Sequence, residues 1–356
     1  MINQEYLEKI FSEALTRGAS DVHFSVGRPP ILRIDGELEE IEREKVLTPE
    51  DASSLCPLLM KKEQQEIFYI EKDMDFAYDF QGKIRMRINA FYQRGFVSFA
   101  IRIIPPQIRT IEELHLPSIL HTFTSMQQGL ILVCGPAGHG KSTTLAAMVD
   151  EINHKRKEHI ITIEDPIEYI FQQDKSIINQ RELGFDTKDY PTALRAALRQ
   201  DPDVLLIGDM RDRETMSAAL TAAETGHLVF STLHTNSASQ TIDRIIDSFP
   251  PDQQDQIRIQ LASSFAGVIS QRLLQRIMGG RIPACEIMVA SPAISNLIRE
   301  KRTFEIDVVI STSREKGMIS LNHYLAELIN QREITFEEAS KYSLNPRELK
   351  LILKRI

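Results

Sequence analysis

Residues 135–143 read Gly135-Pro136-Ala137-Gly138-His139-Gly140-Lys141-Ser142-Thr143. The first eight satisfy G-x-x-x-x-G-K-[ST], in which a glycine-rich loop turns its backbone N–H groups toward an anion. In that arrangement Lys141 reaches the β- and γ-phosphates of a nucleoside triphosphate and Ser142 ligates Mg²⁺. The start of the next helix adds positive potential. Four fixed positions match by accident in roughly one chain in a hundred of this size, so the flanks decide. Residues 130–134 (Leu-Ile-Leu-Val-Cys) form an apolar run of strand length, and helical spacing resumes from Ser142. The motif therefore sits between strand and helix, as phosphate binding requires.

Three further apolar runs end in residues able to serve the same reaction. Asp203-Val-Leu-Leu-Ile-Gly-Asp209 is a strand closing on a carboxylate that can hold Mg²⁺ or its waters. Ile161-Thr-Ile-Glu164-Asp165-Pro166-Ile-Glu168 closes on an acidic cluster, with Pro166 ending the regular ladder. Glu164 is the candidate to orient or deprotonate an attacking water. His227-Leu-Val-Phe-Ser-Thr-Leu-His234 is bracketed by two imidazoles. His234, at the carboxyl end, is placed to contact a γ-phosphate, and His227 is carried as a second candidate.

The elements that must position these groups follow from periodicity. The spacing predicts a helix over 4–17, strands over 21–26, 31–34 and 37–41, and a turn at Asp35-Gly36. Helices follow over 48–59 and 61–68, then strands over 74–80, 84–92 and 97–104. This block reads as an α+β domain with a mostly antiparallel sheet, ending at Pro105-Pro106. Arg85, Arg87, Arg94 and Arg102 lie on its last strands, and a spacing of two puts Arg85 and Arg87 on one face. A P-loop ATPase without an arginine finger of its own takes one from a neighbouring subunit, so these four are the candidates to act in trans.

After residue 116 strands and helices alternate: strands over 130–134, 159–164, 203–208 and 227–233, helices over 141–154, 191–200, 213–225 and 238–247. Alternation of this kind implies a parallel, doubly wound sheet. Beyond about 252 the pattern predicts helices over 255–274, 292–300, 321–331 and 335–342.

With 356 residues the chain has length for two domains. A net charge of −8 speaks against a nucleic-acid-wrapping surface and against a nucleic-acid motor. Cys56, Cys134 and Cys285 are too scattered for a metal module and read as reduced thiols. No run approaches the ~18 apolar residues of a membrane span, and the acidic amphipathic N-terminus is unlike a signal or transit peptide.

Together these residues resemble the type II/IV secretion ATPase superfamily, and within it the PilT-like type IV pilus retraction ATPases. The resemblance runs from about residue 5 to 352. It includes Gly18-Ala-Ser-Asp-Val-His23, Arg33-Ile-Asp-Gly-Glu37 and Asn89-Ala-Phe-Tyr-Gln-Arg94-Gly95 in the first domain. In the second it includes the phosphate loop, the runs ending at Glu164, Asp209 and His234, and Ala222-Ala-Glu-Thr-Gly-His227. Thr241-Ile-Asp-Arg244, Phe249-Pro250, Ser270-Gln-Arg-Leu273 and Ala293-Ile-Ser-Asn-Leu-Ile-Arg-Glu300 complete it.

The family implies a PAS-like α+β domain (1–104), a linker (105–116) and a RecA-like P-loop ATPase domain with a helical C-terminal portion (117–356). It implies ATP and Mg²⁺ as cofactors and a homohexamer whose arginines reach the next subunit's nucleotide. It also implies an inner-membrane pilus platform protein as partner, with a paralogous retraction ATPase as a second, and a cytoplasmic location peripheral to the inner membrane without direct insertion. Three positions depart from the family pattern. Asp209 replaces the usual Glu, which predicts binding retained and turnover slowed. His139 replaces Ser, which predicts pH-dependent nucleotide affinity. Ser295 replaces the first arginine of the motif AIRNLIRE, which leaves open a PilU-like accessory role or a ring scaffold with weak catalysis. A pilus-extension or secretion ATPase fits less well, because such relatives carry a longer N-terminal region and a tetra-cysteine module.

Overall fold

The computed structural model describes residues 2–80, 84–104 and 107–354. The Pro105-Pro106 pair expected to end the first domain lies outside them. The chain divides into two units, Met1–Gln107 with Pro166–Ile170, and Ile108–Asp165 with Phe171–Ile356. Residues 108–116, expected as linker, group with the second unit and bury Ile111 and Leu116.

In the first unit, β1 (Asp21–Phe24), β2 (Ile31–Ile34), β3 (Glu37–Glu40), β4 (Asp73–Phe80), β5 (Ile84–Gln93) and β6 (Phe96–Ile104) form one antiparallel sheet. Its order is β3-β2-β1-β6-β5-β4. The helix Gln4–Thr16 is capped by Asn3 and turns Leu7, Ile10 and Phe11 inward. There Phe11 meets Phe80 edge to face, with ring centroids 5.2 Å apart. The helix expected over 48–59 is broken into Pro49–Ser54 and Cys56–Leu59. Thr48 and Asp51 form a capping box at its start.

The second unit is built on seven strands in the order β13-β12-β7-β11-β10-β8-β9. They are β7 (Gly129–Cys134), β8 (His159–Glu164), β9 (Ile177–Glu182), β10 (Val204–Ile207), β11 (Leu228–Leu233), β12 (Phe265–Gln275) and β13 (Arg281–Val289). Every neighbouring pair is parallel except β12 with β13. Strands β7, β10 and β11 are buried along their whole length, which is why they read as unbroken apolar runs. The four predicted crossover helices are present as Lys141–Lys155, Tyr190–Ala197, Arg213–Glu224 and Ala238–Asp247.

The helix expected over 255–274 is corrected: it stops at Ser264, and β12 begins at Phe265. Ile257 and Leu261 keep helical spacing, but from Phe265 the apolar residues become continuous, and periodicity alone cannot separate a buried strand from a buried helix. Tertiary context decides, because β12 fills the place between β7 and β13. Strands β9 and β13 and the helix Pro346–Leu353 were not foreseen at all.

A bulge in β12 between Phe265 and Gly267 brings Gly267 against Phe123, in the helix Ile119–Ser125. A Cβ at Gly267 would stand 2.5 Å from the Phe123 ring. Gly267→Ala is therefore expected to overpack this contact and lower stability by about 1–3 kcal/mol. Phe123→Leu in the same chain is expected to recover part of it. Denaturant unfolding of both variants measures this; an unchanged midpoint for the single variant would exclude the overpacking.

Candidate nucleotide site

The parallel register places four strand ends side by side. Cys134 at the end of β7 pairs with Leu233 at the end of β11, Ile207 of β10 with Ser231, and Ile163 of β8 with Ile207. The phosphate loop, His234, Asp209 and Glu164 thus leave adjacent strands at one edge of the sheet, where parallel α/β folds bind ligands.

Gly135 opens the loop at φ +144°, and a Cβ there would lie 2.4 Å from Gln271 O, so no other residue fits. The loop ends at Gly140, which caps the 15-residue helix Lys141–Lys155. Its first turn leads with the buried Lys141 and carries the exposed Ser142. The Lys141 ammonium donates to Gly135 O at 2.8 Å and Pro136 O at 3.1 Å.

His234 stands between two parts of the site. Its Nδ1 is 3.4 Å from Lys141 Nζ and its Nε2 is 3.3 Å from Asp209 Oδ2. A ring carrying its proton on Nε2 accepts from the lysine and donates to the carboxylate. Asp209 is buried. Its Oδ1 accepts from Thr232 Oγ1 at 3.3 Å and its Oδ2 from Arg211 Nε at 2.7 Å. Glu164 is aimed by its neighbours: its Oε1 accepts from Thr162 Oγ1 at 2.6 Å and from Gln180 Nε2 at 3.2 Å.

His227 is not brought to this cluster. It precedes β11, at the opposite sheet edge, about 20 Å away by the rise of six extended residues. There its Nδ1 donates to Ala222 O at 2.9 Å and closes the turn after the helix Arg213–Glu224. His139 is part of the loop, but its Nδ1 accepts from Leu273 N–H at 2.9 Å, so the imidazole is held by β12.

The first unit aligns three of the four arginines. Arg87 faces Arg102 across β5 and β6, and Arg85 lies two residues away on the same face. Their repulsion is offset by acids. Arg87 lies 3.8 Å from Asp75 and 3.6 Å from Glu168, and Arg102 donates to Asp21 at 3.1 Å. Arg85 donates to Ile167 O at 3.1 Å. Both Ile167 and Glu168 belong to the stretch just after Glu164-Asp165, so the chain beyond the acidic cluster is pinned to the arginine face. Arg94 instead occupies the β5–β6 turn at φ +51°.

Sequence reasoning missed the residues that hold these groups. Gln180 is on an unforeseen edge strand. Gln271 and Arg272 were quoted only as part of a motif. Arg272 donates to Asn236 O at 2.8 Å, bracing the loop after His234. Glu286 accepts from Ala238 N–H at 2.7 Å at the end of that loop, and burial pushes its carboxyl up to about 7.

Residues 2–306 match the type II/IV secretion system protein family. The chain belongs to that family. Its PilT-like retraction branch is shown by relatives matched almost end to end. A type IV pilus retraction ATPase, PilT, of Pseudomonas aeruginosa is 42% identical over 340 residues, covering 96% of this chain and 98% of its own. A type IV pilus ATPase, PilU, of the same organism is 38% identical over 98% of this chain and 91% of its own. The crystal structure of a pilus retraction motor, PilT, with bound ADP superposes with a TM-score of 0.86 at 47% identity, covering 96% of this chain and 98% of that one. The fold of this secretion ATPase is accordingly an N-terminal α+β domain, a RecA-like ATPase domain and a helical C-terminal portion.

Gly135→Ala is expected to abolish tight nucleotide binding, because both the conformation and the 2.4 Å approach to Gln271 O exclude a side chain. Titration with a fluorescent ATP analogue checks this; affinity within about threefold of wild type would contradict it.

Proposed function

We propose that this chain is an ATP-hydrolysing motor that powers type IV pilus retraction. The observation carrying the reading is the convergence of the phosphate loop, Glu164, Asp209 and His234 at one sheet edge, in a chain matched almost end to end by a retraction ATPase.

Hydrolysis is an in-line attack of water on the γ-phosphate. The loop's N–H groups and Lys141 bind the polyphosphate, and the Lys141–His234–Asp209 chain fixes the lysine relative to the carboxylate. Glu164, held by Thr162 and Gln180, orients the water and accepts its proton. The donor set fits Mg²⁺: a serine hydroxyl at the helix start and one carboxylate are hard oxygen donors that leave room for phosphates and water. Ser142 and Asp209 would hold it, and bound there it would supply charge neutralisation at the β- and γ-oxygens.

We place the motor in a homohexamer, with Arg85, Arg87 and Arg102 presented to a neighbour's nucleotide and Arg94 the least supported of the four. Its partners in this reading are the inner-membrane platform protein and a paralogous ATPase. Among the described residues no helix is long and apolar enough to cross a membrane. The domain boundaries 1–104 and 117–356 remain part of this proposal.

A second reading, an accessory PilU-like ATPase or a weakly catalytic ring, is favoured by two observations. The Asp209 carboxylate is short and held by Arg211. Ser295, standing where the retraction motif has arginine, donates to Ala262 O at 2.9 Å and so presents no cation.

Steady-state phosphate release separates the two readings. Lys141→Ala is expected to abolish turnover. Asp209→Glu is expected to raise kcat, by up to about a hundredfold, because a misplacement near 1 Å costs that much. Turnover by the lysine variant at the wild-type rate would overturn the hydrolytic reading. A fall in kcat for the glutamate variant would show that this site is built around the shorter carboxylate.

A further inference from the structure

Past Ser270, which pairs with Cys134, β12 outruns β7 and loses its neighbour on that side. Two of its later N–H groups are accepted by side chains instead. Leu273 N–H donates to His139 Nδ1 at 2.9 Å, and Gln275 N–H donates to Glu338 Oε1 at 3.1 Å. The first acceptor is in the phosphate loop, and the second is in the helix Phe336–Tyr342 of the C-terminal portion. The two acceptors are themselves linked. The His139 ring meets Tyr342 edge to face, at 5.7 Å between centroids and 74° between planes.

Gln271 completes the frame. Its Nε2 donates to His139 O at 2.8 Å and its Oε1 accepts from Thr144 Oγ1 at 2.7 Å, so it spans the loop from its fifth residue to the following helix. Three alternate residues of one strand therefore hold the loop, the helix start and a C-terminal helix.

We propose that His139 is a positioning residue that couples the phosphate loop to the helix Phe336–Tyr342, so that the seating of this helix tunes the loop's affinity for nucleotide polyphosphate. It acts through backbone geometry. The imidazole fixes the loop against β12, and Tyr342 fixes the imidazole. Whatever moves the C-terminal helix moves the ring, and the loop's N–H groups shift with it. This rests on the reading of 135–142 as a nucleotide loop.

The acceptor role requires a neutral ring. Burial, with Arg272 on β12, Lys141 on the loop's own helix and Arg281 on β13, holds the His139 imidazole below its ordinary value. Tyr342, from the helix Phe336–Tyr342, is the other titratable side chain packed against it. Protonation would place an N–H at Nδ1, facing the Leu273 N–H. The folded form thus binds its proton less readily than the unfolded chain. The bond is intact while the ring is neutral and is lost only as pH falls through the folded form's value, which lies below the ordinary imidazole value.

The test is binding of the fluorescent analogue mant-ADP to wild type, His139→Ala, His139→Asn and Tyr342→Ala, from pH 5.5 to 8, with thermal melting to confirm folding. Loss of one buried hydrogen bond corresponds to about three- to tenfold in affinity. His139→Ala is expected to weaken binding by that factor at pH 7.5. His139→Asn, whose Oδ1 stands near the Nδ1 position, is expected to restore it to within about twofold. Tyr342→Ala, outside the loop, is expected to reproduce part of the loss. Wild-type affinity should fall at the acid end of the range, below the ordinary imidazole value, and the asparagine variant should not follow it.

Equal affinities for wild type, His139→Ala and Tyr342→Ala overturn the proposal. So does an asparagine variant as weak as alanine, or one with the wild-type pH profile. If His139→Ala does not fold, Tyr342→Ala and the asparagine pH profile decide. Wild type that binds no mant-ADP overturns the nucleotide reading beneath it.

Discussion

The parallel pairing of β7, β11, β10 and β8 is the constraint on which the site depends. One-residue register between neighbours sets Cys134 beside Leu233, Ser231 beside Ile207 and Ile207 beside Ile163. A slip of one residue in any of these strands would exchange the side chains of its two buried faces, forcing both to repack, and would carry its terminal group out of line. Complete burial of β7, β10 and β11 makes such a slip costly. The site's geometry is therefore paid for by the hydrophobic core, not by contacts among the polar groups themselves.

Within that frame the polar groups are joined in series. Gly135 O and Pro136 O receive Lys141, which stands beside His234, which lies 3.3 Å from Asp209, which accepts from Arg211. In the proposed reading, nucleotide phosphates at Lys141 would compete with the carbonyls and imidazole beside it. Glu164 is outside this series. It accepts from Thr162 and Gln180, which take no part in the Lys141–His234–Asp209 series.

The sequence made the central strands and the four groups at their ends legible, because burial on both faces leaves an unmistakable apolar run and each run stops at a functional side chain. It concealed what flanks them. The half-exposed edge strand β9 alternates too weakly to stand out, and it supplies Gln180. Strand β12 looked like the continuation of the helix Pro251–Ser264, since an apolar run has no period of its own. Misreading it hid the Gln271 and Leu273 contacts to the loop. His227 was drawn toward the site by symmetry about β11, yet a strand separates its two ends by its full length. The pinning of the stretch after Asp165 to Arg85 and Arg87 joins residues 82 and 81 positions apart, which no local pattern reveals.

The three departures from the family pattern share a physical property. Asp209 has Thr232, His234 and Arg211 around its carboxylate, His139 accepts from Leu273, and Ser295 donates to Ala262 O. A site drifting out of use accumulates buried polar groups whose partners have been lost, because nothing selects against the cost of leaving them unmade. Among the described residues, the buried side-chain atoms without a partner belong to Tyr6, His23, Ser98, Arg181 and Arg258. None of these is one of the three replaced residues or the groups they bind. Each replaced residue has a hydrogen-bond partner, the shorter carboxylate in Arg211 and the loop imidazole in the Leu273 N–H. Such pairing accords with a nucleotide site that is still working and has been retuned in rate and coupling.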